Sequence, residues 1–457
     1  MGDLFISVRG RVLINVEALN MTESIGNYVK HRRVPVISPT TYATYFVPAI
    51  SGETLAHGFQ RTLVEKVKGS NNLKEKLCEL CKRGIFLKSA NNPVIYSAFK
   101  DKFEKWKKIE SEADFEKEII SSCIVEDIGG FLYAPGQQER IGNEEKSKLA
   151  EVGILEEGNG KYGSKFENIK RTSNFSVGYM IPVKEAIESV VIESQLHSRY
   201  ALGTPFVKRG TQGQMIYYVE LSSAPYVFSF DLDTKYIGKL TFNYERVGEL
   251  AVNDEERKKR IDISLESLKS FLTEMMFGAK KTRFLPIMDW ESIVIALSDD
   301  IWTTTSPLTA NYIINTLNKK NKIDNGTDLF VYINPVLFED TSTFVKRRTE
   351  ELLESFYDSL EEFKKKLEER GDSNILDWDV FKKRKLEEFL ERKVDELVES
   401  RDLKYISMIQ RKYIEAKKEL EREGGERIKL YENFEECVSE AIEKAKNKKE
   451  NTEGQKQ

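Results

Sequence analysis

An α+β fold is predicted from three observations. Residues 4–16 alternate, with Leu4, Ile6, Val8, Val12, Ile14 and Val16 on one parity and Ser7, Arg9, Arg11 and Asn15 mostly on the other, the period of a half-buried strand. Two segments keep helical spacing: Leu55, Phe59, Leu63 and Val67 form one stripe, and Ile261, Leu265, Leu268, Leu272 and Met275 form another. Residues 214–221 and 226–232 between them read as strands, and so do residues 293–297 after the second helix. The order β, α, insertion, β, β, α, β is an expanded split β-α-β arrangement.

Each element follows from local chemistry. After the first strand, Gly26, Pro35, Pro39 and Pro48 punctuate residues 24–48, which are expected to form a loop. Ser51, Gly52 and Glu53 then cap the first helix. Residues 70–120 are rich in Lys and helical in period, the signature of an inserted helical lobe. Gly129-Gly130-Phe131-Leu132-Tyr133 opens a polar stretch reaching about residue 166, expected to be a loop or hairpin insertion of low order. Ser222-Ser-Ala-Pro225 is expected to turn between two antiparallel strands. The helix over 254–277 ends at Gly278.

Composition changes late in the chain. All 11 prolines lie at or before Pro335, and residues 341–457 carry 27 basic and 30 acidic side chains in 117. Leu352, Phe356, Leu360, Phe363 and Leu367 keep helical spacing there. This predicts two to four charged amphipathic helices, a packing or partner-binding appendage whose last twenty residues fray.

The chain of 457 residues, 40% hydrophobic and 32% charged, can bury one large core or two to three smaller ones. No run of apolar residues is long enough to span a bilayer, and the N-terminus has neither a basic nor an apolar signal region, so membrane insertion and secretion are not expected. Four cysteines are too few for a disulfide framework, which points to the reducing cytoplasm. A net charge of -4 excludes global attraction to nucleic acid; such binding would need local basic patches.

Several local signals compete with bland explanations. Cys78-Glu-Leu-Cys81 has the spacing of a zinc knuckle, but no second such pair completes four ligands. Two buried free thiols on a helix are expected instead, and no metal or other cofactor. The histidines are His31, His57 and His197, and no nucleophile motif or phosphate-binding glycine motif accompanies them. Cations stand beside each: Lys30, Arg32 and Arg33 at His31, Arg61 at His57, and Arg199 at His197, a pattern that suits phosphate. Gly278-Ala-Lys280-Lys281-Thr-Arg283-Phe284 could complement a helix dipole, or could offer backbone N–H groups, three cations and an aromatic to a polyphosphate with stackable bases. A further cluster lies at Lys170-Arg171-Thr172-Ser173.

Taken together, these segments resemble one family. Glu23-Ser-Ile-Gly-Asn27 with Lys30-His31-Arg32, and 48–57 with Ser51-Gly52-Glu53 and His57, are similar to the crRNA-binding backbone subunit of type I Cascade complexes in its archaeal type I-A, DevR-like form. Asp127-Ile-Gly129-Gly130-Phe131, Arg171-Thr172-Ser173, Gly178-Tyr-Met180-Ile-Pro182, Gln195-Leu-His197-Ser-Arg199-Tyr200, Ser222–Phe230 and Gly278–Pro286 keep the family's order.

The resemblance implies a modified RNA-recognition-motif (ferredoxin-like) palm with helical finger insertions and a thumb-like hairpin. Residues 1–69 and 183–340 would form the palm, 70–125 a helical insertion, 126–182 a Gly-rich thumb-like insertion, and 341–457 an extension longer than the family usually carries. It further implies no catalytic activity, head-to-tail stacking of copies along crRNA, contact with other Cascade subunits, and bases left free to pair with target DNA. Asn27, His31, Arg32, Ser51, His57, His197, Arg199, Lys280, Lys281 and Arg283 would line the RNA path, with Lys30, Gly52 and Arg61 in the same segments. Gly129, Gly130, Arg171, Thr172 and Ser173 would belong to the thumb that touches RNA and the neighbouring copy. A metal-independent endoribonuclease using His57 or His197 as general acid or base is the rival class, and a purely structural coiled-coil protein a third.

Overall fold

The computed structural model describes residues 3–136, 140–158, 161–200, 214–323, 326–335 and 401–454, together with 360–362, 364, 365, 369 and 385. The chain divides into two compact units, Met1–Tyr332 with Gly424–Gln457, and Ile333–Glu423. Among the described residues, no helix is long and apolar enough to cross a membrane.

In the first unit the strands are β1 (Phe5–Glu17), β2 (Met21–Ile25), β3 (Tyr28–His31), β4 (Arg33–Ile37), β5 (Thr44–Pro48), β6 (Phe131–Tyr133), β7 (Leu155–Gly158), β8 (Lys161–Ser164), β9 (Ile169–Arg171), β10 (Phe175–Val177), β11 (Ile192–Tyr200), β12 (Gln214–Asp233), β13 (Ile287–Ser298), β14 (Asp328–Ile333) and β15 (Ile428–Tyr431). The helices are α1 (Gly52–Gly69), α2 (Glu79–Lys82), α3 (Asn92–Phe99), α4 (Glu112–Ser122), α5 (Ile124–Gly129), α6 (Asn143–Glu151), α7 (Asp254–Glu274) and α8 (Tyr312–Lys322). In the second unit, α9 (Arg401–Glu423) buries Tyr413, Ala416 and Leu420 at helical spacing. The final helix, α10 (Phe434–Gly454), belongs to the first unit.

A nine-stranded sheet carries the first unit, in the order β15-β14-β13-β1-β12-β3-β2, with β10 and β11 also pairing along β12. The alternation read in residues 4–16 decides which face of β1 is apolar. Val8 stands opposite Phe230 and Val12 opposite Tyr226, so the even positions share a face. On that side Phe59 of α1 meets Phe175, Phe230 and Phe271 edge to face at 4.8–5.8 Å, which packs α1 and α7 against the sheet. Ser51 caps α1 as its sequence predicts, its hydroxyl accepting from the Thr54 N–H.

Four expectations need correction. Residues 24–48 are not loop: β4 and β5 pair with Pro35 opposite Phe46, a two-stranded arrangement in which the missing N–H costs no inner ladder bond. Residues 214–233 form one strand and not a hairpin. Pro225 sits inside it opposite Leu13, next to the register shift of β1 between Ile14 and Glu17, and its carbonyl accepts from Val183. The polar stretch before residue 166 holds the β7–β8 hairpin, one of the two forms expected of it, but also the helix α6, which was not expected. Finally, the boundary set at 341 falls elsewhere: β15 adds to β14 in parallel, and Phe434 of α10 stacks on Trp290 at 5.1 Å. Cys437, Val438, Ala441, Ile442 and Ala445 are buried, so the helix expected to fray is held by its apolar face.

Candidate functional site

The loop between α7 and β13 organises the exposed cations. Helix α7 stops at Met275, which adopts a left-handed conformation at φ 44°, and Phe277 turns back into the core. Gly278 follows at φ +87°, where a Cβ would stand 2.6 Å from the Leu19 side chain, and the Ala279 N–H donates to the Leu19 carbonyl. The loop is therefore fixed against the turn after β1, and Lys280, Lys281 and Arg283 project from a held backbone.

A cleft of about 450 Å³ lies on each side of this loop. One is lined by His57 and Arg61 of α1, with Lys66, Met276 and Lys281. The other is lined by Asn27, by Tyr217 and Val219 of β12, and by Lys280, Arg283 and Phe284. Among the described residues Arg61, Lys280, Lys281 and Arg283 form no ion pair with a carboxylate. Lys281 donates to the Met275 carbonyl at 3.0 Å and lies 5.7 Å from the Phe277 ring centre. Partial burial and the nearby Arg283 charge hold the Lys280 ammonium below its ordinary value, and partial burial does the same to Lys281. Burial and Arg61 likewise lower His57, whose ring tilts against Phe86 at 5.1 Å. Glu65, which also lines the first cleft, pairs with Lys68, and the cations outnumber it there, so the net positive charge favours an anion.

Aromatic surface adjoins the cations. His197 of β11 stacks on Tyr217 of β12 with ring centres 5.4 Å apart and meets the edge of Phe284 at 5.1 Å. Tyr28 stacks on Tyr218 at 4.6 Å where β3 joins β12. Tyr217, Tyr28 and Tyr218 were not singled out from sequence, although Tyr217-Tyr218 within a strand next to a basic segment is a readable cue for base stacking.

The other expected positions divide. Asn27 is exposed in the β2–β3 turn, Lys30 is half-buried on β3, and Thr172 is exposed after β9. Arg32 is half-buried, with its Nε buried and without a hydrogen-bond partner. Arg199 lies on β11 opposite Met215, but its side chain is outside the described residues. Ser173 bonds the Phe175 carbonyl, and Gly52 starts α1 close to the Val177 carbonyl.

For five residues the role expected from sequence is corrected by burial. Arg171 is enclosed: it donates to Glu116 at 3.0 Å, to both the side chain and the carbonyl of Asp127, and to the carbonyls of Tyr236 and Lys239. A guanidinium so placed knits the insertion to the segment after β12 and has no face left for phosphate. His31 is equally enclosed, with Nε2 2.5 Å from Glu17 and Nδ1 2.9 Å from the Arg32 carbonyl. Burial works against its charge, but the hydrogen bond and charge of Glu17 prevail and raise it above 6.5. Ser51 is spent on the helix cap. Gly129 is buried against Gln60, and Gly130, at φ +70°, lets the chain pass the Arg171 carbonyl, which a Cβ would approach to 2.5 Å.

A second group of residues was only half seen. Cys78 and Cys81 are joined by Cys123 and Glu126, which lie at the start of α5, and the four candidate ligand atoms are all buried within 4.8 Å of one another. The expectation that nothing completes the Cys78–Cys81 pair is therefore corrected. Cys123-Ile-Val-Glu126 repeats the spacing of Cys78-Glu-Leu-Cys81, a signal that a search for Cys and His alone passes over. Burial and the negative charge of a Cys123 thiolate push the Glu126 carboxyl up to about 8.

The comparisons agree with one family. Residues 8–317 match the family described as CRISPR-associated negative auto-regulator DevR/Csa2. The CRISPR-associated protein Cas7/Csa2 1 of Saccharolobus solfataricus is 34% identical over 303 residues, covering 65% of this chain and 80% of that protein. The CRISPR-associated aCascade subunit Cas7/Csa2 2 of the same organism is 31% identical, covering 72% and 91%. A chain of a solved structure titled CRISPR RNA-guided surveillance complex, pre-nicking, covers 72% of this chain and 91% of its own at 9% identity and a TM-score of 0.35, too loose a likeness to argue from. With well over half of its length matched, this chain belongs to the DevR/Csa2 family of CRISPR-associated proteins.

Proposed function

We propose that this chain is a crRNA-binding backbone subunit that polymerises head to tail along a guide RNA in an antiviral surveillance complex, joins other Cascade subunits there, and leaves the bases free to pair with target DNA. The observation that carries the reading is the held loop with Lys280, Lys281 and Arg283 between two clefts, none of the three ion-paired to a carboxylate among the described residues. A protein of net charge -4 gains phosphate affinity only through such local concentration. Unpaired cations beside the stacked His197–Tyr217 pair suit the backbone and bases of a single strand, and contacts of that kind are indifferent to sequence. Asn27, Lys30, Arg32, His57, Arg61, Thr172, Arg199 and the loop cations are the RNA-facing set in this reading, on a palm of RNA-recognition-motif type.

The role is that of a scaffold and not an enzyme. Ribonuclease chemistry needs an acid and a base around one 2′-hydroxyl. His57 lies in the cleft with Arg61 and Lys281, whereas His197 packs on Tyr217 and Phe284. Among the described residues, neither is hydrogen-bonded to a carboxylate.

Nucleic acid extracted from the purified full chain tests the reading. Small RNA of repeat-spacer character, and labelled RNA that stays intact on incubation, are expected. A chain free of RNA that fails to bind it when added, or one that cuts it at a fixed site, overturns the proposal.

A further inference from the structure

Two pairs of residues far apart in sequence, Cys78 with Cys81 and Cys123 with Glu126, meet in the helical insertion and its junction with α5. Cys78 precedes α2, and its sulfur accepts a hydrogen bond from the Cys81 N–H at 3.3 Å, the type of contact that stabilises a thiolate in a metal knuckle. The turn then closes through Gly84 at φ +78°, whose N–H bonds the Cys81 carbonyl. Cys123 stands between α4 and α5, brought alongside by the Ile124 N–H bonding the Lys76 carbonyl at 3.0 Å. Glu126 enters from α5, with Oε1 accepting from the Cys81 thiol at 2.8 Å and from the Leu87 N–H at 3.1 Å.

Two features need an explanation that packing does not give. The second carboxylate oxygen of Glu126, Oε2, is buried with no hydrogen-bond partner, a costly state for an acceptor. Three fully buried thiols and a carboxylate also gather in one spot, where apolar side chains would pack at no electrostatic cost.

We propose that Cys78, Cys81, Cys123 and Glu126 hold one structural zinc ion that ties the turn after Cys78 to the junction of α4 and α5. The ligand types suit a borderline-soft ion: three sulfurs and one carboxylate oxygen make a closed four-coordinate set. Tetrahedral zinc with bonds of about 2.3 Å sets sulfur atoms about 3.8 Å apart, so four atoms within 4.8 Å need only small side-chain rotations to close on it. Three thiolates and a carboxylate outweigh a divalent ion, and positive charge stands nearby: Lys88 acts on Glu126 and Cys81, and Lys102 on Cys123 and Cys78. Binding releases thiol protons to solvent and leaves no open coordination position, so the role is cross-linking and not catalysis. The segment from Cys78 to Ala90 has little regular structure of its own, which is where such a cross-link contributes most.

The test uses the full chain, prepared in zinc-containing medium and washed with a chelator. Elemental analysis is expected to find about one tightly held zinc per chain. Cobalt(II) added to the stripped protein is expected to give thiolate charge-transfer and tetrahedral d–d absorbance. Glu126→Gln keeps the shape and all three thiols, so it is the variant least prone to misfold; it is expected to weaken zinc in chelator competition by at least about tenfold. Cys123→Ser is expected to remove retention. A chain that stays zinc-free after loading and shows no thiolate–cobalt absorbance overturns the proposal, as does a Cys78–Cys123 disulfide found in protein kept from air, or a Glu126→Gln variant that binds as the wild type does.

Discussion

Arg283 donates from its guanidinium to the Tyr217 hydroxyl at 2.7 Å, tying the loop after α7 to strand β12. Tyr217 in turn stacks on His197 of β11, so the Arg283 guanidinium and the two rings adjoin one another.

The cations of that loop set the first expectation. Replacing Lys280, Lys281 and Arg283 together by alanine should weaken RNA by a similar factor across sequences. It should also flatten the salt dependence, each lost phosphate contact reducing the log-log slope by about 0.7. Anisotropy titrations at several salt concentrations measure both. A sequence-dependent loss, or an unchanged slope, would place the RNA elsewhere.

Arg171 should behave in the opposite way. Its removal leaves Glu116 buried without its ion partner, held only by hydrogen bonds from Thr241 and Phe242, while Asp127 keeps Arg260, a loss of about 3–5 kcal/mol. Arg171→Ala is therefore expected to shift the denaturant midpoint strongly, while Thr172→Ala, one residue away and exposed, leaves stability within about 0.5 kcal/mol. A stable Arg171→Ala protein that has lost only RNA affinity would restore this residue to the interface.

These two residues show where sequence was legible. Both belong to short basic segments, and nothing local distinguishes Lys281 from Arg171. Their fates depend on what lies across the fold: Glu116 and Asp127 are 55 and 44 positions from Arg171, and no periodicity announces such a meeting. Helices α1 and α7 were readable because burial follows their own repeat. In β1 the apolar parity is buried from Leu4 to Ile14, but Ser7 and Arg11 on the other parity are buried too and Val16 is exposed, because the strand lies inside the sheet. Residues 222–225 were misread because a proline argues against a strand unless a bulge on the neighbouring strand accommodates it. Half of the cysteine cluster was visible, since spacing reveals one pair of ligands and only the fold supplies the other.

The buried His31–Glu17 pair gives a pH dependence with a definite sign. The folded-state value of His31 is raised above 6.5, so folding favours its protonated form. That contribution is complete below about pH 6.5 and is lost as pH rises through the folded value. Urea midpoints of wild type and His31→Gln, compared from about pH 6 to about pH 9, should draw together with rising pH. A gap that stays constant or widens would show that His31 is neutral in the folded protein.

The end of the chain carries the last expectation. Residues 424–454 lie in the same compact unit as the main sheet, through two kinds of contact. Strand β15 extends the sheet beside β14, and α10 packs its apolar stripe on α7 and β13, with Phe434 against Trp290 and Tyr332. Lys444 and Lys448 also reach the buried Asp328 at the start of β14, at 3.2 and 3.4 Å. A chain ending at Asp340 forfeits all of this. Uncovering Phe434's neighbours and losing Val438 and Ile442 forgoes about 1.5–3 kcal/mol for each large side chain, a sum comparable to the whole stability of a domain, about 5–15 kcal/mol. Asp328 would in addition be left without its lysines. Truncation there is expected to give insoluble or molten protein, recognised by a broad thermal transition and dye binding to exposed apolar surface. A sharp melt close to that of the full chain would instead show that α10 lies on a core complete without it.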